Sequence, residues 1–379
     1  MRILEIAPPW FSIPPSGYGG IEWVVALLAD GLVEAGHDVT LLASGGSVTL
    51  ARLETIFDRP PSKQIGNAWH ETRHVVAGYL RRDEFDLVHD HTGAFGPALG
   101  ALLEGPPVVN TLHGPWTDEV SALHQLLAPR IHLVAISHDQ ARRAPVGVDL
   151  AAVVPNGISI ESYPLRPERR GTAGYLVYVG RANREKGPEI AVAVARRLRR
   201  PLKMLVKINE PAEEAYWRDV VGPHLRGAEG IELLPDLPIA DKARLLAGAD
   251  ATLFPAQWPE PFGLVMAESM ACGTPVVGYG DGAVSEVVVD GENGFVVPPG
   301  DLDGLCEAVQ RAADIDPRAC RARVEQHYSG AAMVRGYAAL FEWLTGASSD
   351  PRVAAAGRAS DDEQTSIEDG ETDAVGQPS

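Results

Sequence analysis

The sequence predicts an α/β protein of two doubly wound parallel-sheet domains facing each other across a cleft, followed by a disordered acidic tail. Three observations carry this. Short β-branched runs alternate with helical stretches at the spacing of crossover connections. The alternation breaks after Asn156-Gly157 and restarts at Tyr175. The 379 residues exceed one ordinary core and suit two domains, each of roughly 150–200 residues.

In the first half, "RILEIAP", "DVTLLAS", "DLVHDH", "PPVVNTLHG", "IHLVAIS" and "AAVVPNG" read as buried strands. Between them, "GGIEWVVALLADGLVEAG", "NAWHETRHVVAGYLRR" and "AFGPALGALLEG" read as helices. The first helix sets Ile21, Val24, Val25, Leu28 and Leu32 at helical spacing, and Gly36 stops it. "SIESYPLRPERRGTAG" has little apolar periodicity and reads as a linker. Then "YLVYVG", "LKMLVKI", "GIELLPD", "ATLFPA", "PVVGY" and "GFVV" read as strands. "EIAVAVARRLRR", "EEAYWRDVVGPHL", "ADKARLLAGA", "GLVMAESMACG", "DLDGLCEAVQRAA" and "AAMVRGYAALFEWL" read as helices. The expected boundaries are 1–160 for the first domain, 161–172 for the linker and 173–328 for the second domain. A last helix takes 329–346, and the acidic, polar tail takes 347–379.

Composition narrows the function. The chain is 45% hydrophobic and 22% charged, as in a soluble globular protein. No apolar run approaches the ~20 residues that span a bilayer. "MRILEIAPPW" is too weakly basic and too short in its apolar run for a signal peptide, so a cytoplasmic protein is expected. Cys272, Cys306 and Cys320 form no close pair and read as buried thiols. Net charge is −18, from 33 basic and 51 acidic residues. The tail from Ala347 has eight acids against two arginines, a net of −6, which leaves −12 on the body. Such a surface argues against nucleic acid or anionic lipid as a general partner. An anionic substrate therefore needs a local basic pocket.

Parallel sheets bind ligands beyond the carboxyl ends of their strands, so the unusual residues are sought in strand-to-helix turns. "YVGRANREKGPEI" puts Arg181 and Lys186 in one such turn, with Pro188 opening the next helix. Two cations beside free backbone N–H groups make a phosphate site, and two solvated surface charges are the plainer reading. "QWPEPFGLVMAESMACGTPVVGYGDG" repeats the form. Glu260 precedes the turn, Gly263 and Leu264 open the helix with amides able to face an anion, and Glu268 lies one turn on. A carboxylate one turn behind a phosphate site reaches ribose hydroxyls. Glu260, on the open side, can accept from the hydroxyls of a sugar. Two carboxylates bracketing a phosphate turn thus suit a ribose–diphosphate–sugar ligand. Ordinary helix-start chemistry is the alternative.

"PPSGYGGIEWVV" adds a glycine-rich loop with Gly17, Gly19 and Gly20, a weak signal by itself. It can cradle the far side of a diphosphate or simply turn the chain. His113 ends a strand and can position a sugar hydroxyl or serve structure alone. His89 and His91 in "HDHTG" share that ambiguity. Trp10, Phe11 and Trp116 offer stacking surfaces for an acceptor. Two motifs read as decoys. "HETRH", His70 to His74, matches a zinc-helix pattern, but Arg73 would face a dication and no third ligand follows. "DID", Asp314 to Asp316, lies just before Pro317 and reads as a helix boundary.

Taken together, "EPFGLVMAE" continuing into "SMACGTPVV", "GRANREKG", "GYGGIE", "VVPNGI" and "GENGFVV" resemble glycosyltransferase family 4, the retaining GT-B transferases. The resemblance covers Met1 to about Leu344. It implies a GT-B fold of two Rossmann-like domains whose late helix crosses back onto the first. It implies a hexosyltransferase that moves a sugar from a UDP-, GDP- or ADP-sugar to a hydroxyl acceptor, with no cofactor and no obligatory metal. Carried onto this sequence, Arg181 and Lys186 hold the donor diphosphate, and Glu268 binds the ribose. Glu260 contacts the transferred sugar, and Gly263 and Leu264 present amides. Gly20 lies near the phosphates, Gly19 and Trp116 lie on the acceptor side, and His113 touches the sugar. The acceptor is a small polar metabolite, a natural product or a lipid. A same-fold epimerase or phosphorylase and a non-catalytic sugar-nucleotide sensor are the alternatives.

Overall fold

The computed structural model describes residues 1–17, 19–168 and 174–348. Nearly all of the expected disordered tail, residues 169–172 of the expected linker, and Tyr18 of the glycine-rich loop lie outside the described residues.

Among the described residues, the strands form two sheets. The first contains β1 (Arg2–Ile6), β2 (Asp38–Ala43), β3 (Arg52–Thr55), β4 (Leu87–Asp90), β5 (Val108–Leu112), β6 (His132–Ala135) and β7 (Leu150–Val153). Its order is β3-β2-β1-β4-β5-β6-β7. The second contains β8 (Leu176–Arg181), β9 (Leu202–Lys207), β10 (Ile231–Leu234), β11 (Ala251–Phe254), β12 (Val276–Tyr279) and β13 (Gly294–Val297). Its order is β10-β9-β8-β11-β12-β13. Every registered pair is parallel, as the continuous apolar runs require of strands covered on both faces. Each expected strand is present. The missed strand is β3, whose "RLET" sits at a sheet edge, is only half-buried and has no apolar run to announce it.

The strand order reverses between β1 and β4 in the first sheet and between β8 and β11 in the second. Crevices for ligands open at such reversals. The turns that follow these four strands contain most of the charged and glycine residues singled out above.

The expected helices form as well. Among the described residues four more α-helices appear, of which Asp118–Leu127 and Pro317–His327 are the longest. The first is capped by Thr117, whose hydroxyl accepts from the Val120 amide. The second is capped by Asp316 and opened by Pro317, which confirms "DID" as helix-boundary chemistry. Only Pro317, Cys320 and Val324 of that helix are buried, so its apolar stripe is too thin to read. The last helix, Gly330–Leu344, turns Met333, Tyr337, Leu340 and Phe341 into the core built by Val24, Leu28 and the first sheet. Each such fully buried large side chain contributes about 1.5–3 kcal/mol, which holds the end of the described chain on its beginning.

All three cysteines are buried, and none forms a disulfide among the described residues. Helix Ala68–Tyr79 carries "HETRH". There His74 Nε2 bonds the Ala7 carbonyl at 2.9 Å, and His70 stacks on Phe57 with ring centroids 5.5 Å apart. Burial pushes the His74 imidazole down to about 4. The motif serves packing. Among the described residues, no helix is long and apolar enough to cross a membrane.

Candidate active site

A cavity of about 410 Å³ lies between the two sheets. The first domain lines it with Phe11, Gly19, Gly20, Glu22 and His113, and the second with Arg181, Lys186, Lys242, Glu260, Gly263 and Glu268. Of the residues singled out in the sequence, only Trp116 among the named site candidates stands elsewhere. Its indole donates to the Gln140 carbonyl at 2.9 Å and packs edge-on against His124.

The turn after β8 is built by Asn183, whose side chain accepts from the Lys186 amide at 3.1 Å. Gly187 then takes the left-handed conformation, φ 62°, and releases the chain into helix Pro188–Leu198. This aims Lys186 across the cleft floor, where its ammonium pairs with Glu260 and lies 4.9 Å from the Trp258 ring centroid. Trp258 Nε1 donates to the same Glu260 oxygen at 3.0 Å. Glu260 is fixed from behind as well. Its carbonyl accepts from the Ala283 amide at 2.8 Å, and it forms a parallel bridge with Gly282.

Arg181 lies at the mouth. Its guanidinium pairs with Glu213 and donates to Glu210 Oε1 at 2.5 Å, both at the capping box that opens helix Pro211–Tyr216. Both donor-side cations therefore stand against carboxylates. A diphosphate would have to draw Arg181 and Lys186 from them. Glu210, half exposed at its side chain, is the readier to yield.

Helix Leu264–Ala271 begins at Gly263, φ 81°, which leaves the first amides of the helix facing the cavity. A Cβ at Gly263 would lie 2.6 Å from Met266 Cε and 3.0 Å from Phe254 Cζ, so the turn admits only glycine. Glu268 is 6% exposed. Its Oε1 accepts from Lys242 Nζ at 2.6 Å and from the Tyr163 hydroxyl at 2.8 Å. Its Oε2 is buried with no hydrogen-bond partner among the described residues. An unsatisfied carboxylate oxygen costs about 1–3 kcal/mol or more, so Oε2 is an acceptor left open to a further donor. Gly20 opens helix Gly20–Glu34 so close to the second domain that a Cβ there would lie 3.3 Å from Leu264 Cδ1.

Three residues were missed by reading the sequence. Lys242 lies in the first turn of helix Ile239–Gly248, which follows β10. Glu22 is buried in the first turn of its helix, where burial pushes its carboxyl up. Glu5 is fully buried in β1, opposite His89 of β4. It binds His89 and His91, and His91 Nδ1 reaches His113 Nε2 at 2.9 Å. Glu5, His89 and His91 are also ligand types that lie close enough together to hold a metal ion.

Comparison with known proteins agrees with this geometry. The family model described as Glycosyltransferase Family 4 matches residues 18–162, and that described as Glycosyl transferases group 1 matches residues 161–327. The chain is 30% identical over 352 residues to a phosphatidyl-myo-inositol mannosyltransferase of Mycolicibacterium smegmatis, across 82% of this chain and 84% of that one. It is 28% identical over 401 residues to a glycogen synthase of Mycobacterium tuberculosis, across 93% and 94%. A solved glycosyltransferase involved in avilamycin A biosynthesis matches with TM-score 0.69 and 25% identity, across 92% of this chain and 98% of that one. HepE of Anabaena, solved with UDP-glucose, matches with TM-score 0.69 at 22% identity, across 89% and 98%, a likeness of fold.

Proposed function

The chain belongs to glycosyltransferase family 4, and from that membership we infer that it moves a hexose from a UDP- or GDP-sugar to a hydroxyl acceptor with retention at the anomeric carbon. The observation that carries this is the unpartnered Glu268 oxygen one turn behind an open helix start, with Lys186 and Glu260 facing it across one cavity. These groups match the three parts of a nucleotide sugar in order: ribose, diphosphate and hexose.

In this reading the sugar–phosphate bond breaks with charge building on the departing diphosphate. Lys186, Arg181 and the amides of helix Leu264–Ala271 stabilise that charge without an obligatory metal. Glu260 turns from Lys186 to the hexose hydroxyls as the phosphates take the ammonium. The acceptor proton passes to a phosphate oxygen on the same face. An adjoining cavity of about 520 Å³, lined by Phe11, Ser62, Lys207 and Asp236 among others, is the proposed entry for the acceptor. Lys207 lies 5.3 Å from the Phe11 ring centroid there, a surface for a ligand with both apolar and polar parts. Buried cysteines outside any disulfide fit action in the cytoplasm.

The test supplies sugar-labelled UDP-glucose, UDP-galactose and GDP-mannose with fractionated small-molecule and lipid extracts as acceptors. The expected product is a labelled glycoside whose anomeric proton shows the donor's configuration. Label returning only in an epimerised nucleotide sugar would favour the epimerase. Label in a sugar phosphate would favour the phosphorylase. Donor bound tightly with no product would favour a sensor.

A further inference from the structure

A carboxylate buried in the middle of a parallel strand needs a reason. An aliphatic side chain in that place costs nothing in desolvation, whereas an ion must be fully bonded to be tolerated. Glu5 is fully buried in β1 and spends each oxygen on a histidine. Oε1 meets His89 Nδ1 at 3.1 Å, and Oε2 meets His91 Nε2 at 2.9 Å. Residues two apart on a strand share a face, so β4 and the residue after it deliver both imidazoles to one carboxylate. Beyond them, His91 Nδ1 lies 2.9 Å from His113 Nε2, and His113 lines the cavity. On the other side, His89 Nε2 lies 2.8 Å from Thr111 Oγ1, which lies 2.8 Å from the Tyr337 hydroxyl.

The proton positions along this chain follow from bond counting. Glu5 has an imidazole nitrogen at each oxygen, the arrangement of a carboxylate that only accepts. His91 must then donate from Nε2. His91 lies buried between Glu5 and His113, and as a neutral ring with its proton on Nε2 it has Nδ1 bare. A bare Nδ1 accepts, which requires His113 to donate from Nε2. A neutral His113 that donates from Nε2 carries its lone pair on Nδ1. No described residue engages that atom.

We propose that Glu5 is a positioning residue which acts through His91 to hold His113 as the Nε2–H tautomer, so that His113 meets a hydroxyl in the cavity as an acceptor through Nδ1. The hydroxyl is that of the transferred hexose, which rests on the functional reading above. The tautomer itself does not. With the opposite tautomer, His113 would present N–H and favour a carbonyl or phosphate oxygen instead. The relay makes the first domain selective for hydroxyl donors at this position.

The test labels the full chain with 15N-histidine and records two-bond proton–nitrogen correlations at pH 7, assigning His113 by its loss in His113→Gln. The expected pattern is Nε2–H for both His91 and His113 in the unmodified protein, with no variant needed. In Glu5→Gln the amide offers one donor and one acceptor where the carboxylate offered two acceptors. His113 should then lose its single tautomer, and kcat should fall about tenfold with donor KM changed less than about threefold. An Nδ1–H pattern for His113 in the unmodified protein would overturn the proposal. So would an unchanged tautomer and kcat in a folded Glu5→Gln protein, or a stoichiometric metal lost with Glu5. Nucleotide binding with the wrong tautomer sinks this inference alone, whereas the correct tautomer without nucleotide binding sinks the functional reading alone.

Discussion

Lys186→Ala lowers turnover by about tenfold to hundredfold and leaves the fold standing. The ammonium lines the cavity beside Glu260, and a charge-assisted bond to a departing diphosphate is worth about 1.5–3 kcal/mol. Its side chain is 19% exposed, and its partners Glu260 and Trp258 belong to the cavity rather than the core. Removing it leaves the nearly buried Glu260 with the Trp258 indole as its remaining side-chain donor among the described residues. The loss should fall mainly on kcat, because charge on the phosphates grows toward the transition state. Steady-state kinetics with each candidate donor, beside a thermal unfolding curve, check both halves. Near-normal turnover would remove Lys186 from the phosphate site.

Gly282→Ala has the larger effect, about hundredfold on turnover, with no change in any side chain that touches the ligand. Gly282 has φ 66°, and a Cβ there would lie 2.2 Å from the Glu260 amide nitrogen and 2.4 Å from its carbonyl oxygen. Backbone cannot move aside as a flexible side chain does. The bridge between Gly282 and Glu260 must open, and Glu260 must leave its place beside Lys186. Catalytic groups displaced by an ångström lose about hundredfold. Gly291→Ala is the control. Its φ of 79° is equally unfavourable to alanine, but a Cβ there meets nothing within 4 Å. It should lose stability, about 1 kcal/mol, and keep its activity. Equal losses of activity in both variants would show that strain in the loop, rather than the position of Glu260, governs turnover.

These two residues illustrate what the sequence could and could not disclose. Lys186 and Glu260 were legible one at a time, since each sits in a strand-to-helix turn with glycine or proline punctuation. Their pairing was not, because 74 residues separate them and only the adjacency of β8 and β11 in the second sheet brings them together. Lys242, inside the first turn of a helix, reads as an ordinary surface charge and becomes informative only when seen against Glu268. Glu5 carried no signal. One acid inside "RILEIAP" does not disturb a strand pattern, and its chemistry arises from its register with His89. Trp116 shows the reverse. Beside a strand-end histidine it reads as a stacking surface, yet the fold spends it on Gln140 and His124. The alternation of strands and helices was readable because parallel strands covered on both faces need unbroken apolar runs. β3, an edge strand, escaped for lack of one.

The central claim is that the cavity between the sheets is a nucleotide-sugar site, and its most direct test is thermal stability with UDP, GDP and ADP in turn, each with and without a chelator. A ligand at about 100 times its dissociation constant adds roughly 2.7 kcal/mol, enough to raise Tm by several degrees. The expected result is a rise with UDP or GDP that the chelator leaves unchanged and that Glu268→Gln removes. No rise with any nucleotide, together with a fall in Tm on adding chelator alone, would contradict the claim and point instead to a structural metal at Glu5, His89 and His91.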